Sequence, residues 1–231
     1  MFMIDQIVVI FIPLLFAVTI HETAHGYVAY RRGDATAKSM GRLTLNPIRH
    51  LDWFGSFLLP VILKPSGSPV IFGYAKPVPV NFGNLRDYRR GMISVASAGV
   101  LANLALAVVS GALFQILLCL SRLWYDSICG PFLIDLLRLL GYSAVINSVL
   151  TVFNVVPIPP LDGSRIPAAM LPAVWKDQFD RIEQFGMIII ILLLFTSFID
   201  TLISFFVDPL LHACLGSEGI AFIFNGMGDF K

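Results

Sequence analysis

"AVTIHETAHGYVAYRR", residues Ala17–Arg32, decides how the whole chain is read. It closes an apolar run that begins near Ile4, and together they are long enough for a helix across a hydrocarbon core, which takes about 20 residues. Yet this helix carries His21, Glu22 and His25. Ionisable groups inside a span are costly and mark function unless something compensates them. The rest of the sequence must say what does.

Composition sets the solvent. Of 231 residues, 57% are hydrophobic and only 13% charged, with mean hydropathy +0.81. A soluble domain carries about a quarter charged residues, so there is too little polar surface here to clothe a water-soluble globule. The expected fold class is an all-α integral membrane protein: a polytopic bundle of about four full spans plus a re-entrant segment and a short extended, hairpin-like loop. The formal net charge is +1 with no basic, aromatic-interleaved patch, which argues against a nucleic-acid partner. Cys119, Cys129 and Cys214 form no C-x-x-C pair, so neither a disulfide framework nor a thiolate metal site follows. Cys119 reads as a small core residue. The first run lacks a basic leader and a small-residue cleavage site, and reads as a permanent span. A single membrane-embedded domain over residues 1–231 is expected, with a core at about 4–169 and a C-terminal span and tail at 182–231.

The spans are expected at about Ile4–Tyr30, Gly91–Leu120, Pro131–Val156 and Phe185–Val207, with the tail Asp208–Lys231 on the membrane surface. "LDWFGSFLLPVILK", residues 51–64, is too short to cross and is broken by Pro60, which suits a re-entrant segment. The Gly-, Pro- and Val-rich stretch from Pro65 to Asn84 reads as extended. Ser94, Ala98 and Ala102 recur every four residues and predict a small-residue packing face on the second span. Arg31, Arg32, Lys38, Arg42, Arg49, Arg86, Arg89 and Arg90 all fall between spans one and two. The positive-inside rule makes that side cytoplasmic, in a multi-pass protein of the cell membrane. Span three then also ends on the cytoplasmic side.

His21-Glu22-Thr23-Ala24-His25 is H-E-x-x-H. Positions four apart nearly eclipse on a helix, so both imidazoles can turn to one metal ion, with Glu22 beside them as general base for a water held there. A catalytic zinc usually takes a third protein ligand. Asp162, at the same membrane depth in "NVVPIPPLDG", is the matching carboxylate; His50 and His212 lie elsewhere in the chain. Pro157, Pro159 and Pro160 have no N–H and orphan the carbonyls of Phe153, Val155 and Val156. Such broken backbone belongs where it lines a site or is buried in protein. Gly163 permits the tight turn after Asp162. The Asn154 amide can satisfy a freed carbonyl or contact a substrate, and Asn103 can serve the site or bond between helices. A metal bound by His21, His25 and Asp162 would offset their cost.

These motifs resemble those of the site-2 protease-like intramembrane zinc metallopeptidases. "HETAH" matches the first motif of that family, and Asn154, Pro157, Leu161, Asp162 and Gly163 resemble its Asn-x-x-Pro-x-x-x-Leu-Asp-Gly element. "SAGVLAN" is similar to its middle Gly-Pro-x-x-Asn element, with Val100 where proline is usual. "GRLTLNP" and "GYAKPVPVN" resemble the compact bacterial branch without PDZ or CBS domains. The resemblance covers about Ile4 to Ala169. It implies one zinc on His21, His25 and Asp162, Glu22 as general base, and membrane-protein substrates cut within or near their transmembrane segments. The extended segment Val70–Asn81, through Val78 and Val80, would pair with the unwound substrate as an added strand. The alternative from another class is a membrane metal-ion transporter or metal-binding protein using the same pocket; against it stands the lack of an internal repeat. The sequence leaves the oligomeric state open.

Overall fold

The computed structural model describes residues 2–51, 76–124, 130–172, 179, 181–194 and 196–224. The chain is a helical bundle, and there is no strand among the described residues. Helix α1 spans Phe2–Arg32, α2 Tyr88–Trp124 and α3 Gly130–Val155. After the proline break come a short α4, Arg165–Met170, and α5, Gly186–Leu194. Helix α6, Phe198–Leu202, runs through a π-helical turn, Ile203–Val207, into α7, Asp208–Phe224. Among the described residues four stretches are long and apolar enough to cross a membrane: Val8–Arg32, Tyr88–Ser121, Phe132–Val155 and Phe198–Phe224. Helix α2 is the centre, packing on α1, α3, α4 and α7.

The outside of the bundle is apolar. Phe16, Leu101, Val108, Val109, Ile116, Ile188 and Phe205 are all exposed. A water-soluble chain hides such residues or scatters them singly; here they line helix after helix, as a hydrocarbon solvent requires. Cys119, expected in the core, lies on this exposed face of α2. The packing face of α2 is also shifted from the expected one. Ser94, Ala98 and Ala102 are half-buried, while Val95, Ala96, Gly99, Asn103 and Ala107 turn inward.

The fourth span is corrected. The apolar run at 185–207 is not one helix: α5 ends at Leu194, and the spanning-length stretch begins at Phe198. The tail beyond Asp208 is not a surface element as far as Phe224. Its Leu211, Leu215, Phe222 and Ile223 form the hydrophobic core with Phe114, Leu118, Leu137 and Ala144 of α2 and α3. Small notches admit it. A Cβ on Gly141 would stand 2.2 Å from Ile223, and one on Gly219 2.6 Å from Phe114. Close approach of this kind drives helix association in lipid, where apolar burial contributes little. A kink at Gly216, with φ +66°, bends α7 where only glycine is unstrained.

The expected re-entrant segment at 51–64 lies, but for Leu51, outside the described residues, as does the first half of the expected hairpin-like loop. The second half is described, and it is extended through Asn81 before a turn at Phe82–Asn84. Helix α1 ends in a Schellman motif: Gly33 at φ +116°, with Asp34 N–H donating to Ala29 O at 3.0 Å and Gly33 N–H to Tyr30 O at 3.1 Å. Fully buried Asp34 then ties the segments together, accepting from Thr36 N at 3.1 Å, Asn81 N at 2.7 Å, Asn84 Nδ2 at 3.0 Å and the Thr36 hydroxyl. Arg42 donates to the carbonyl oxygens of Lys76 and Arg49, and Lys76 N–H to His50 O at 2.9 Å. His50 is buried, with Nε2 2.8 Å from Thr44 O, and belongs to this loop packing. The extended segment is thereby laid along α1 at Gly26, where a Cβ would stand 2.6 Å from both Leu43 and Val78.

Candidate metal centre

Two elements meet at one point. Helix α1 presents His21 and His25 one turn apart, each 8% exposed, and the proline break after α3 presents Asp162. Asp162 Oδ2 lies 3.0 Å from His21 Nε2 and 3.1 Å from His25 Nε2, and the two Nε2 atoms are 2.9 Å apart. The sequence-predicted trio is therefore brought together. This is a ligand geometry. His25 Nδ1 is 2.7 Å from the Val95 carbonyl, to which it must donate, so in the neutral imidazole His25 Nε2 carries a lone pair. That lone pair and a carboxylate oxygen then face each other without a proton of their own to share. A cation among them removes the conflict. Tetrahedral zinc with bonds of about 2.0–2.1 Å holds its ligands about 3.3 Å apart, close to the spacing seen.

The break positions Asp162 through backbone contacts. Val156 N–H donates to Phe153 O at 3.1 Å and Ile158 N–H to Val156 O at 2.8 Å, which serves two of the three carbonyls the prolines leave over. Gly163 is packed against the third: a Cβ there would stand 2.1 Å from Val155 O. Its φ is not positive, so what it contributes to the turn is close backbone approach. Asn154 donates its amide to Leu150 O at 3.0 Å, one turn back on its own helix, and to none of the three freed carbonyls.

Two residues of α2 complete the surroundings. A Cβ on Gly99 would stand 2.4 Å from His25 Nε2 and 2.6 Å from His21 Cε1, so only glycine lets α2 pass this close. Its signal was present in "SAGVLAN" but not singled out. Asn103 is 0% exposed, with Nδ2 3.2 Å from His21 Nδ1 and a buried Oδ1 that has no partner. Of the two readings open for Asn103, the structure places it against the histidine.

Glu22 Oε2 accepts the Val78 N–H at 2.7 Å. Val78, expected to pair with a substrate strand, is instead buried, with its N–H spent on Glu22. In an extended chain alternate residues turn their N–H to opposite sides. Lys76 and Val78 donate inward, to His50 and Glu22, and the intervening Pro77 and Pro79 have no N–H for the outer edge. Val80 is half-buried beyond them.

Comparison with known proteins agrees with this geometry. The family model of Peptidase family M50 matches residues 9–197. The chain is 37% identical over 216 residues to the Bacillus subtilis protein named "Putative zinc metalloprotease YwhC", covering 94% of this chain and 90% of that one. It is 31% identical over 182 residues to "Putative zinc metalloprotease Rip2" of Mycolicibacterium smegmatis, covering 79% of this chain and 64% of the relative. The Mycobacterium tuberculosis H37Rv protein of the same name is 29% identical over 179 residues, with 78% and 63% covered. No solved structure matches the chain. A buried His-His-Asp centre inside a bundle of membrane-length helices, and a family match across most of the sequence, lead to one conclusion: this chain is a multi-pass membrane protein of peptidase family M50, the site-2 protease family of zinc metallopeptidases.

Proposed function

We propose that the protein is an intramembrane zinc endopeptidase that cuts membrane-protein substrates within or near their transmembrane segments. The observation that carries this reading is the convergence of His21, His25 and Asp162 within 3.1 Å of one another inside the bundle, with Glu22 beside them on α1. Together they would hold one zinc per chain. Bound there, zinc supplies Lewis acidity that polarises a scissile carbonyl and acidifies a water to a pKa of about 7.

The protein's own groups do the rest. Glu22 takes the proton of the attacking water at its carboxylate and passes it to the leaving amine. Val78 N–H fixes one oxygen of that carboxylate. Val95 O sets the tautomer of His25. His21 needs the same service, because ligation through Nε2 requires the proton on Nδ1. The Asn103 carboxamide, turned so that Oδ1 faces Nδ1–H, provides the acceptor and gives its buried oxygen the missing partner. The basic residues between spans one and two, among them Arg31, Arg32, Arg89 and Arg90, favour a site toward the cytoplasmic side of the cell membrane by the positive-inside rule.

The test begins with metal content in the detergent-purified full chain. About one zinc per chain in wild type, lost in His21→Ala, is expected. Glu22→Ala should keep its zinc and lose cleavage of a panel of single-pass reporter proteins in proteoliposomes. Zinc flux into the same liposomes with no cleavage by wild type would instead establish a transporter.

A further inference from the structure

A cavity of about 200 Å³ opens beside the metal centre, between α2 and the proline break. Its walls are mostly apolar, with Ala96, Val100 and Leu101 of α2, Val155 and Ile166, while Ser97, Asn154 and Asp162 add polar groups to the lining. Ala96 is buried, whereas Leu101 and Val155 are 59% and 58% exposed. The cleft thus runs from an apolar mouth on the outside of the bundle to a ligand of the centre. Asp162 turns its Oδ2 toward the two histidines, at 3.0 and 3.1 Å.

Size and chemistry select the occupant. Sites for drug-sized molecules run to about 300–1,000 Å³, and an apolar cavity of about 150 Å³ is enough to bind benzene. A space of this volume therefore fits one side chain and is too small for a drug-sized molecule. Anything docked with its carbonyl at the trio has the neighbouring residue's side chain within reach of this opening, and the opening faces hydrocarbon. Resting on the endopeptidase reading above, we propose that the cavity is a side-chain subsite. It takes one apolar side chain, of leucine to phenylalanine size, from the residue beside the scissile bond of a membrane-embedded substrate. Ala96 and Val100 set how large that side chain can be.

The experiment measures binding of peptide-like hydroxamates to the zinc-loaded full chain in detergent. One side chain is varied through methyl, isobutyl, benzyl, aminobutyl and n-decyl, with acetohydroxamate as the bare reference. Isobutyl and benzyl should bind at least about tenfold more tightly than methyl, and aminobutyl no better than methyl. Ala96→Phe should flatten the series while zinc content and acetohydroxamate binding stay as in wild type. Val100→Ala, a milder change, should move the optimum toward benzyl. A flat series in wild type, or a full series retained in Ala96→Phe, overturns the subsite while leaving the endopeptidase reading intact. Affinity that climbs steadily to n-decyl also overturns it, because the cleft then holds an acyl chain. Loss of both zinc and acetohydroxamate binding in wild type removes the endopeptidase reading and the subsite with it.

Discussion

Glu22 on α1 and Val78 on the extended segment are joined through Glu22 Oε2 and the Val78 N–H at 2.7 Å. The bond makes a backbone amide a support for the proposed general base. Val78→Pro removes that amide, whereas Val78→Ala keeps it. Cleavage should fall about 10- to 100-fold in the proline variant and much less in the alanine variant, with zinc content unchanged in both. Val80→Pro separates this from strand addition: a substrate strand would miss both amides, whereas support of Glu22 needs only that of Val78. Equal losses in Val78→Pro and Val80→Pro would restore the strand-pairing role.

Asn103 should act on metal affinity before it acts on rate. Partners that orient a ligating histidine are typically worth 10- to 100-fold in affinity. Asn103→Leu should weaken zinc binding by about that factor in competition with a chelator. Asn103→Asp, which offers an acceptor in either orientation, should hold zinc more tightly than Asn103→Leu. Equal affinities for the two variants would reduce Asn103 to a packing residue.

Gly99→Ala tests the closeness of α2 to the centre. The added Cβ would stand 2.4 Å from His25 Nε2, so the imidazoles or the helix must shift. Zinc content should drop by about tenfold or more while the far end of the bundle stays folded, which helical circular dichroism and proteolysis of the purified protein can follow. Wild-type zinc affinity in this variant would show that α2 has room to retreat.

Asp34 predicts the response to acid. Burial raises its carboxyl, but the hydrogen bonds from Thr36, Asn84 and Asn81 outweigh burial and hold it below its ordinary value of 3.8. A carboxyl lowered on folding stabilises fully above its unfolded pKa and loses that stabilisation as pH falls through the folded value. Thermal unfolding in detergent should therefore show a loss of stability below about pH 4 that is smaller in Asp34→Asn. At neutral pH Asp34→Ala should be destabilised, each orphaned buried donor costing about 1–3 kcal/mol. An unchanged acid profile in Asp34→Asn would rule this out.

The centre was legible because its chemistry is local. The four-residue spacing of His21 and His25 is fixed by helix geometry, and the prolines before Asp162 announce a break that must line something. The C-terminal region was not legible in the same way. Hydropathy reads 185–207 as one run because Leu193 and Phe198 are alike to lipid. What recruits α7 is the fit of Ile223 and Phe114 against the notches at Gly141 and Gly219, which no linear pattern carries. The contact of Glu22 with Val78 spans 56 residues and depends on the Arg42 and Asp34 ties that lay the segment down. The small-residue face of α2 was misplaced by one position along the helix, because Ser94 and Gly99 are equally small and only the histidines decide which side is inner.

The place of α7 in the core bears on how the protein is made. Every residue of the proposed catalytic centre lies at or before Asp162, and α1 through α3 enter the membrane first during synthesis. Yet the faces of α2 and α3 around Phe114, Leu137 and Ala144 are covered only when Leu211, Leu215 and Ile223 arrive. A nascent chain halted before that point holds all of its zinc-binding side chains on an unsealed scaffold. On the endopeptidase reading, the scaffold around the centre is sealed only once α7 has been made and has docked.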